Sequence, residues 1–342
     1  MNTYEKFLMQ NKHEIPENSV LVIVCNSKSK TQFKDDYDNF SINTEFLSDD
    51  ELAQIIKMAE GTKLPYRIFY DEMEFIQTMI NSNIDYSRLI VYNSAQNGTG
   101  AGRKSLIPSL CKYFSIRHTG SDAYRLSLCR DKFAIASILL KYGIPIPAFA
   151  IYFPDKSIKI DSGKKYIAKP IYESSSIGIS KQNVFQGNNI PEKYLLNLYK
   201  TMRQPLIIQE FIAGYEIEIP ILMGDIDAFA FKPVVLYRDD KNLMMGDEIL
   251  DYNLIYKDNY KFSLLPEQFD ISDIQHTAIE AAQLLNLKGL CRVDFRMKSD
   301  KEFFVTDIST NPHFIEHSSV NFAFKKAGLT DIDIFNTILL LS

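Results

Sequence analysis

Two acidic residues flank a short turn near the end of the chain, and their spacing suggests a metal site. Asp294 lies in "CRVDF" and Asp307 in "VTDIS", with the turn signal "KSDKE" between them. Each acid is about six residues from this turn, so antiparallel pairing would place the two nearly opposite each other. Like charges at this range repel unless a cation lies between them, and Mg²⁺ prefers carboxylate and phosphate oxygens. The pattern favours a magnesium site; the alternative is that each acid pairs with a surface lysine.

A lysine and a serine-rich loop further upstream suggest a phosphate site. Lys169 ends the apolar segment "YIAK", where a buried ammonium group is costly unless it meets an anion. The loop "YESSSIG" follows, and small hydroxyl residues with a glycine let backbone N–H groups close around phosphate oxygens. A generic turn would have a similar composition, so both interpretations stay open.

The glycine-rich segment "AQNGTGAGRKS" precedes an apolar, helix-like segment and is a second candidate phosphate loop. Its spacing matches neither the dinucleotide-binding fingerprint nor a P-loop. A flexible strand-to-helix turn is the simpler interpretation.

Two histidines, His313 and His317, have the H-x-x-x-H spacing that binds zinc when it lies on a helix. Pro312 argues against a helix here, and no third ligand is obvious. A histidine that faces substrate, or that is simply packed, is the preferred interpretation.

The elements that would position these residues follow an alternating pattern in the first hundred residues. "SVLVIVCNS", "PYRIFY" and "SRLIVYNS" predict strands, while helices are predicted from Ser48 to Gly61 and over "DEMEFIQTMINSN". Such alternation is typical of a parallel sheet with helices on its faces.

The rest of the chain predicts further helices and strands. We expect one helix over "SDAYRLSLCRDKFAIASILLKYG" that ends at Gly143, a hairpin over "LCRVDFRMKSDKEFFVTDI", and one closing helix over "SVNFAFKKAGLTDIDIFNTILLL". The polar, aromatic segment at 239–262 predicts a loop over a site. A change in composition places a domain boundary near residue 127.

Composition excludes several classes of protein. The 342 residues carry a net charge of −5, which gives no electrostatic footprint for nucleic acid. The longest apolar runs are far shorter than the roughly 20 residues that a membrane helix needs, and no signal peptide is evident. The four widely spaced cysteines predict reduced, buried thiols. We therefore expect a cytoplasmic protein without nucleic-acid or membrane partners.

Six motifs occur together in one order: Lys132 in "RDK", then "AKP", "ESSSIG", "QEFIAGYE", "RVDF" and "DISTNP…HSS". In order and spacing they resemble the D-alanine–D-alanine ligase branch of the ATP-grasp family, from about residue 117 to 330. The resemblance implies an α/β ATP-grasp fold of three α/β domains, with ATP held between the second and third. These are a Rossmann-like N-terminal domain (1–127), a central subdomain (128–208) and a C-terminal subdomain with the metal and substrate sites (209–342).

The resemblance also implies roles for individual residues. The ATP-binding residues would be Lys132, Lys169, Glu173, Ser174, Ser176, Gln209, Glu210, Phe211, Ile212 and Glu216. Three residues would act in catalysis: Arg292 would steady the acyl-phosphate and tetrahedral intermediates, Ser175 would orient the first amino acid, and Tyr256 would close over the site. Asp294 and Asp307 would hold Mg²⁺ (Mn²⁺ is an alternative), and Ser318 would receive a substrate carboxylate.

Four positions depart from the family pattern. Ser309 replaces the metal-ligand asparagine, which leaves Ser309 or Asn311 as the third ligand, and His313 replaces a glycine on the substrate side. Ile255 replaces a lysine that contacts phosphate. No counterpart of the N-terminal acid that binds the first D-alanine's ammonium is evident in residues 25–38.

The leading hypothesis is an ATP-dependent carboxylate–amine ligase that acts on small amino-acid substrates, with D-alanine as the default. The resemblance implies cell-wall biogenesis and, since homodimers are common in this branch, a homodimer. The alternatives are an ATP-binding regulator or scaffold without ligase activity, and a ligase that uses a carrier or peptide tail.

Overall fold

The protein folds as three β-sheets with helices packed against them, around one large cavity. The structure is a computed structural model that describes residues 2–32, 35–38, 40–238 and 242–342. The sheets are built from successive parts of the chain, which confirms the predicted α/β class. In this described part of the chain, no helix has the length and apolar character needed to span a membrane.

The N-terminal sheet is parallel, with strand order β2-β1-β3-β4, as the alternating pattern predicted. Its strands are β1 (Val20–Val24), β2 (Tyr66–Phe69), β3 (Leu89–Asn93) and β4 (Arg117–His118). The helices of this part are α1 (Thr3–Asn11), α2 (Asp49–Gly61), α3 (Glu72–Asn81) and α4 (Leu106–Tyr113). Because parallel strands end at the same edge, the segments that follow β1 and β3 both reach the cavity.

The middle sheet is antiparallel, with strand order β5-β8-β6-β7. Its strands are β5 (Phe149–Tyr152), β6 (Lys165–Pro170), β7 (Val184–Gln186) and β8 (Leu206–Glu210), and α7 (Glu192–Met202) packs on it. The predicted boundary after residue 208 falls inside β8, and the domain limits stay a prediction.

The C-terminal sheet has strand order β12-β11-β9-β13-β14, and β10 pairs with β9. Its strands are β9 (Tyr215–Met223), β10 (Ala228–Ala230), β11 (Val234–Tyr237), β12 (Lys261–Leu264), β13 (Gly289–Ser299) and β14 (Glu302–Ser309). The helices are α8 (Tyr252–Tyr256), α9 (Ser272–Leu284), α10 (Ser319–Lys326) and α11 (Asp331–Leu340). The antiparallel pairing of β13 and β14 confirms the predicted hairpin.

The hydrophobic cores join different parts of the chain. One core packs Leu21 and Ile23 of the N-terminal sheet against Phe324 and Phe335 of α10 and α11. The N-terminal sheet therefore has a fixed position against the C-terminal helices.

Two predicted helices are each broken into two. The helix expected to run to Gly143 is α5 (Ala123–Arg130) followed by α6 (Lys132–Lys141). Asp131 ends α5, and its side chain accepts a hydrogen bond from the Ala134 N–H as the N-cap of α6. The single closing helix was also wrong, because Gly328, at a φ of +83°, lies between α10 and α11.

The predicted loop at 239–262 contains α8 and the first residues of β12. Residues 239–241 lie outside the described residues, as do residues 33 and 34 of the segment searched for the N-terminal acid.

Candidate active site

One cavity of about 660 Å³ lies where the three sheets meet, and all the predicted site residues line it. These residues are Lys132, Lys169, Glu173, Ser174, Ser175, Ser176, Gln209, Glu210, Phe211, Ile212, Glu216, Tyr256, Arg292, Asp294, Asp307, Ser309, Asn311, His313 and Ser318. They come from segments as far apart as residues 132 and 318, so the fold brings the six motifs together.

The two predicted metal ligands are direct partners on neighbouring strands. Asp294 of β13 pairs with Asp307 of β14, as the count from the turn predicted. Arg292 binds Asp294 in a bidentate pair, with Nε–Oδ1 at 2.7 Å and a terminal nitrogen–Oδ2 at 2.8 Å. Lys132 Nζ lies 2.9 Å from Asp307 Oδ2. Each acid is thus held by a cation.

The charges around Asp294 and Asp307 favour the binding of a further cation. Burial raises the pKa of Asp294, Arg292 opposes that rise, and the neighbouring charge of Asp307 adds to it. Two opposed carboxylates that face a cavity fit a divalent cation. In the described residues no group of three or more His, Cys, Asp or Glu side chains forms a metal cluster. The predicted third ligand is a neutral oxygen.

The two candidates for that neutral oxygen lie beyond Asp307. Ser309 is the strand partner of Arg292, and the side-chain amide of Asn311 donates to the Asn93 carbonyl at the end of β3, at 2.9 Å. The choice between them stays a prediction.

Glu218 is a functional residue that the sequence analysis missed. It lies on β9 as the partner of Asp294 on the other side of β13, and its Oε1 is 2.9 Å from a terminal nitrogen of Arg292. Ser319 donates a hydrogen bond to its other oxygen. Burial raises the pKa of Glu218, and the charge of Arg292 opposes that rise. The signal was present in "YEIE", because residues 216 and 218 share one face of a strand.

Arg292 is therefore held by two acids. Burial alone would lower its pKa, but the charges of Asp294 and Glu218 raise it above its ordinary value. A guanidinium clamped in this way is fixed in direction toward the cavity.

The two predicted phosphate lysines come from different elements. Lys132 is the first residue of α6, directly after the capping Asp131. Lys169 lies near the end of β6, where its Nζ donates to Gln209 Oε1 at 3.0 Å. Burial lowers the pKa of Lys169, and the charge of Asp307 acts against this. An incoming anion would stabilise both ammonium groups.

The predicted adenine-binding linker connects the middle and C-terminal sheets. Gln209 and Glu210 end β8, Ile212 is buried, and the Phe211 ring packs against the charged ends of Lys165 and Arg296. Such an apolar linker with a hydrogen-bonding edge suits a planar base.

The acid predicted to bind ribose, Glu216, is already paired. Its Oε2 lies 2.5 Å from Arg296 Nε, on the strand that follows the linker. Arg296 also donates to the Glu248 carbonyl, at 2.9 Å, and so connects this strand to the loop over the site.

The serine loop contacts both the N-terminal part and the loop over the site. Ser175 and Ser176 have φ values of +51° and +53°, a backbone conformation that serine rarely adopts. Ser174 donates to Glu45, and Ser176 donates to the Leu250 carbonyl at 2.6 Å. Tyr256 is 58 % exposed and lines the same cavity.

Glu173, the first residue of this loop, lies in a buried network. Its Oε1 accepts hydrogen bonds from Tyr37, at 2.7 Å, and from Gln204, at 3.2 Å. Its Oε2 lies 3.2 Å from a terminal nitrogen of Arg103. These contacts fix the loop to the N-terminal part, and a direct role of Glu173 with ATP stays a prediction.

The two histidines, which lie at the predicted substrate end of the cavity, pair with different acids. His313 Nε2 lies 2.9 Å from Glu51 Oε1, and His317 Nδ1 lies 2.5 Å from Asp258 Oδ1. Ser318 is the N-cap of α10, and its hydroxyl oxygen accepts from the Asn321 N–H.

Two N-terminal acids, Glu45 and Glu51, line the cavity although neither lies in residues 25–38. Burial would raise the pKa of Glu51, but His313 and the Ser48 cap lower it to about 2. Glu45 is held by Arg103 and Arg130. Both contacts join residues distant in the sequence, so no local pattern could have indicated them.

A family model described as "D-ala D-ala ligase C-terminus" matches residues 143–340, more than half of the chain. The chain belongs to this family. The resemblance carried by the six motifs is thereby confirmed, and the protein is an ATP-dependent ligase of the D-alanine–D-alanine ligase type.

Similar proteins from bacteria extend the match. The D-alanine–D-alanine ligase of Cupriavidus pinatubonensis is 25 % identical over 236 residues, which cover 67 % of this chain and 68 % of the relative. A D-alanine–D-alanine ligase of Streptococcus agalactiae is 22 % identical over 325 residues, which cover 90 % and 87 %.

Solved structures confirm the ATP-grasp fold. The D-alanine–D-alanine ligase of Bacillus anthracis complexed with ATP has a TM-score of 0.66 at 13 % identity, covering 94 % of this chain and 97 % of that one. The Coxiella burnetii ligase has a TM-score of 0.62 at 15 % identity, covering 95 % and 94 %.

Proposed function

We propose that this protein joins a carboxylate to an amine, forming a dipeptide or related amide with release of ADP and phosphate. The observation that carries the proposal is the opposed pair Asp294 and Asp307, with Arg292, Lys132 and Lys169 around it in one cavity. D-Alanine is the default substrate, because the similar proteins are named for it.

The reaction has two steps. A carboxylate oxygen of the first substrate takes the terminal phosphoryl group of ATP, which gives ADP and an acyl phosphate. The amine of the second substrate attacks the carbonyl carbon, loses a proton and expels phosphate as the amide bond forms. Phosphoryl transfer depends mainly on positioning and on cations around the developing charge.

The residues of the cavity supply these cations. Lys132 lies on α6 and Lys169 lies on β6. Arg292 lies on β13, beside the opposed acids. In the second step the carbonyl oxygen gains negative charge, and the clamped guanidinium of Arg292 stabilises it.

Asp294 and Asp307 would hold Mg²⁺, or Mn²⁺ in its place, with Ser309 or Asn311 as a neutral ligand. Their opposed carboxylates fit a hard divalent cation. When bound, the ion supplies charge neutralisation to the phosphate oxygens. Lys132, which now pairs with Asp307, would then be available to phosphate.

Purified protein with ATP and Mg²⁺ should release phosphate only when amino acids are added. We would test a panel of D- and L-amino acids and identify the product by mass spectrometry. The proposal predicts a product whose mass is the sum of two substrates minus water. ATP binding without turnover on any mixture would instead favour an ATP-binding regulator.

Asp294→Asn is the matched test of the metal site, because it keeps the shape and removes the charge. We expect kcat to fall by about 100-fold or more, while nucleotide binding changes far less. The measurement pairs steady-state kinetics with calorimetric ATP titration. An equal loss of binding and turnover would contradict the proposed role.

A further inference from the structure

A buried cluster of charges forms the N-terminal end of the cavity. A terminal nitrogen of Arg103 lies 2.8 Å from Glu45 Oε2 and 3.2 Å from Glu173 Oε2. Arg130 lies 3.6 Å from both carboxylates. The side chains of Arg103 and Glu173 are each 1 % exposed, and that of Glu45 is 3 % exposed. Two guanidinium groups thus balance two carboxylates.

Lys104 adds one more positive charge to this balanced cluster. It lies two residues before α4 and lines the cavity. Across residues 2–32, 35–38, 40–238 and 242–342, no hydrogen bond or ion pair joins its ammonium group to another side chain. Burial, with the charges of Arg130 and Arg103, lowers the pKa of Lys104 to about 7, although Glu45 opposes the fall. The surroundings of Lys104 therefore disfavour its charged form.

A half-buried cation that lines a cavity without its own partner is a binding group for an anion that arrives with a ligand. Two anions are available in the proposed reaction, a phosphate of ATP and a carboxylate of the substrate. The nucleotide-binding candidates Lys169, Gln209 and Ile212 belong to the middle sheet and its linker. Lys104 comes from the N-terminal part of the chain, and the charges that act on it are, in decreasing order, those of Glu45, Arg130, Arg103 and Lys132. This position favours the substrate as the source.

The same wall is poorly suited to a lone ammonium group. Glu45 could attract one, but its carboxylate is already compensated by Arg103, at 2.8 Å, and by Arg130, at 3.6 Å. The net charge left over at this end of the cavity is positive.

From this we infer that Lys104 binds a second carboxylate of the first substrate, so that the ligase selects a dicarboxylic amino acid, in place of the default D-alanine, as the acyl donor. One carboxylate would react beside Arg292 and Asp294, and the other would pair with Lys104. A substrate with a small neutral side chain, such as alanine, leaves Lys104 uncompensated and binds more weakly. The inference rests on the proposed ligase function and names its substrate class.

The test compares Lys104→Gln with the wild type on the D- and L-forms of alanine, aspartate and glutamate. Rates come from phosphate release at saturating ATP, and binding comes from calorimetry of the same amino acids. We expect the wild type to prefer an acidic amino acid, and Lys104→Gln to raise KM and Kd for it by about 10-fold or more. The KM for ATP should stay within about 2-fold.

Two further variants separate a charge contact from a structural effect. Lys104→Arg keeps a cation and should retain part of the preference for acidic substrates. Lys112→Gln makes the same charge change at an exposed position of α4 and should match the wild type.

Each other outcome overturns the inference. A rise in the KM for ATP alone would assign Lys104 to phosphate. A wild-type preference for alanine that Lys104→Gln leaves unchanged would show that Lys104 does not select the substrate. If no amino acid turns over, the proposed function fails, and calorimetry still decides whether aspartate or glutamate binds through Lys104.

Discussion

At the scale of single residues, the acids of the cavity are neutralised by cations that the proposed reaction needs. Arg292 pairs with Asp294, and Lys132 pairs with Asp307. Buried charges are stable only with such partners. If Asp294 and Asp307 held Mg²⁺ as proposed, Arg292 and Lys132 would be available to phosphate and carbonyl oxygens.

Glu218 gives the first prediction at this scale. Because its carboxylate orients Arg292, Glu218→Gln should lower kcat by roughly 10- to 100-fold. The KM for ATP should change less than kcat, since Glu216 is the one nucleotide-binding candidate on the same strand and it pairs with Arg296, not with Arg292. Steady-state kinetics with ATP and amino acid varied in turn separates the two effects.

Ser319→Ala is the matched control, because it removes only the hydroxyl that donates to Glu218. We expect a smaller loss in kcat than for Glu218→Gln. If Glu218→Gln were fully active, Asp294 alone would be enough to hold Arg292.

The sequence predicted the residues whose partners are local in a hairpin or a motif. Asp294 and Asp307 could be placed opposite each other by counting from the turn. Glu51 and Glu218 were not assigned to the site, because their contacts join strands or loops far apart in the chain. Tertiary packing, not local propensity, decides such contacts.

At the scale of elements, short capped helices present the site residues. Asp131 closes α5 and caps α6, so the break between these helices places Lys132 at a helix start that faces the cavity. The helical pattern of the sequence continues through residue 131, so one helix was predicted. That prediction was wrong because the Asp131 side chain hydrogen-bonds to the backbone and starts a new helix instead of continuing the first.

Ser318 carries the prediction at this scale, because it both caps α10 and is predicted to contact a substrate carboxylate. The cap uses a lone pair of the hydroxyl oxygen, so the O–H hydrogen can still donate to substrate. Ser318→Ala should lower the free energy of unfolding by about 1 kcal/mol. Urea unfolding measures this loss, and kinetics should show a higher KM for the amino acid.

Ser318→Asp separates the two roles. Aspartate is a good N-cap, so the free energy of unfolding should stay near that of the wild type. Its charge repels a substrate carboxylate, so the KM for the amino acid should rise further than in Ser318→Ala. An unchanged KM in both variants would leave Ser318 with the capping role alone.

At the scale of the whole molecule, three sheets converge on one cavity that holds several charged groups without a ligand. The core formed by Leu21, Ile23, Phe324 and Phe335 fixes the N-terminal sheet, and Lys104 lines the cavity beside the charged cluster of this part of the chain. Its charge is then a cost of the unliganded fold that a bound anion would offset.

This cost predicts how stability depends on pH. The pKa of Lys104 falls from an ordinary 10.5 to about 7, so between these values the unfolded chain binds a proton that the folded protein does not. The free energy of unfolding therefore rises with pH across that window, and the penalty from Lys104 is largest at pH 7 and below.

Lys104→Met should stabilise the unliganded protein by about 1–3 kcal/mol at pH 7, and by roughly half as much at pH 9. Urea unfolding at both pH values measures the difference, with the exposed Lys112→Met as the control. A variant that is no more stable than the wild type at pH 7 would show that the Lys104 ammonium reaches water in the empty cavity.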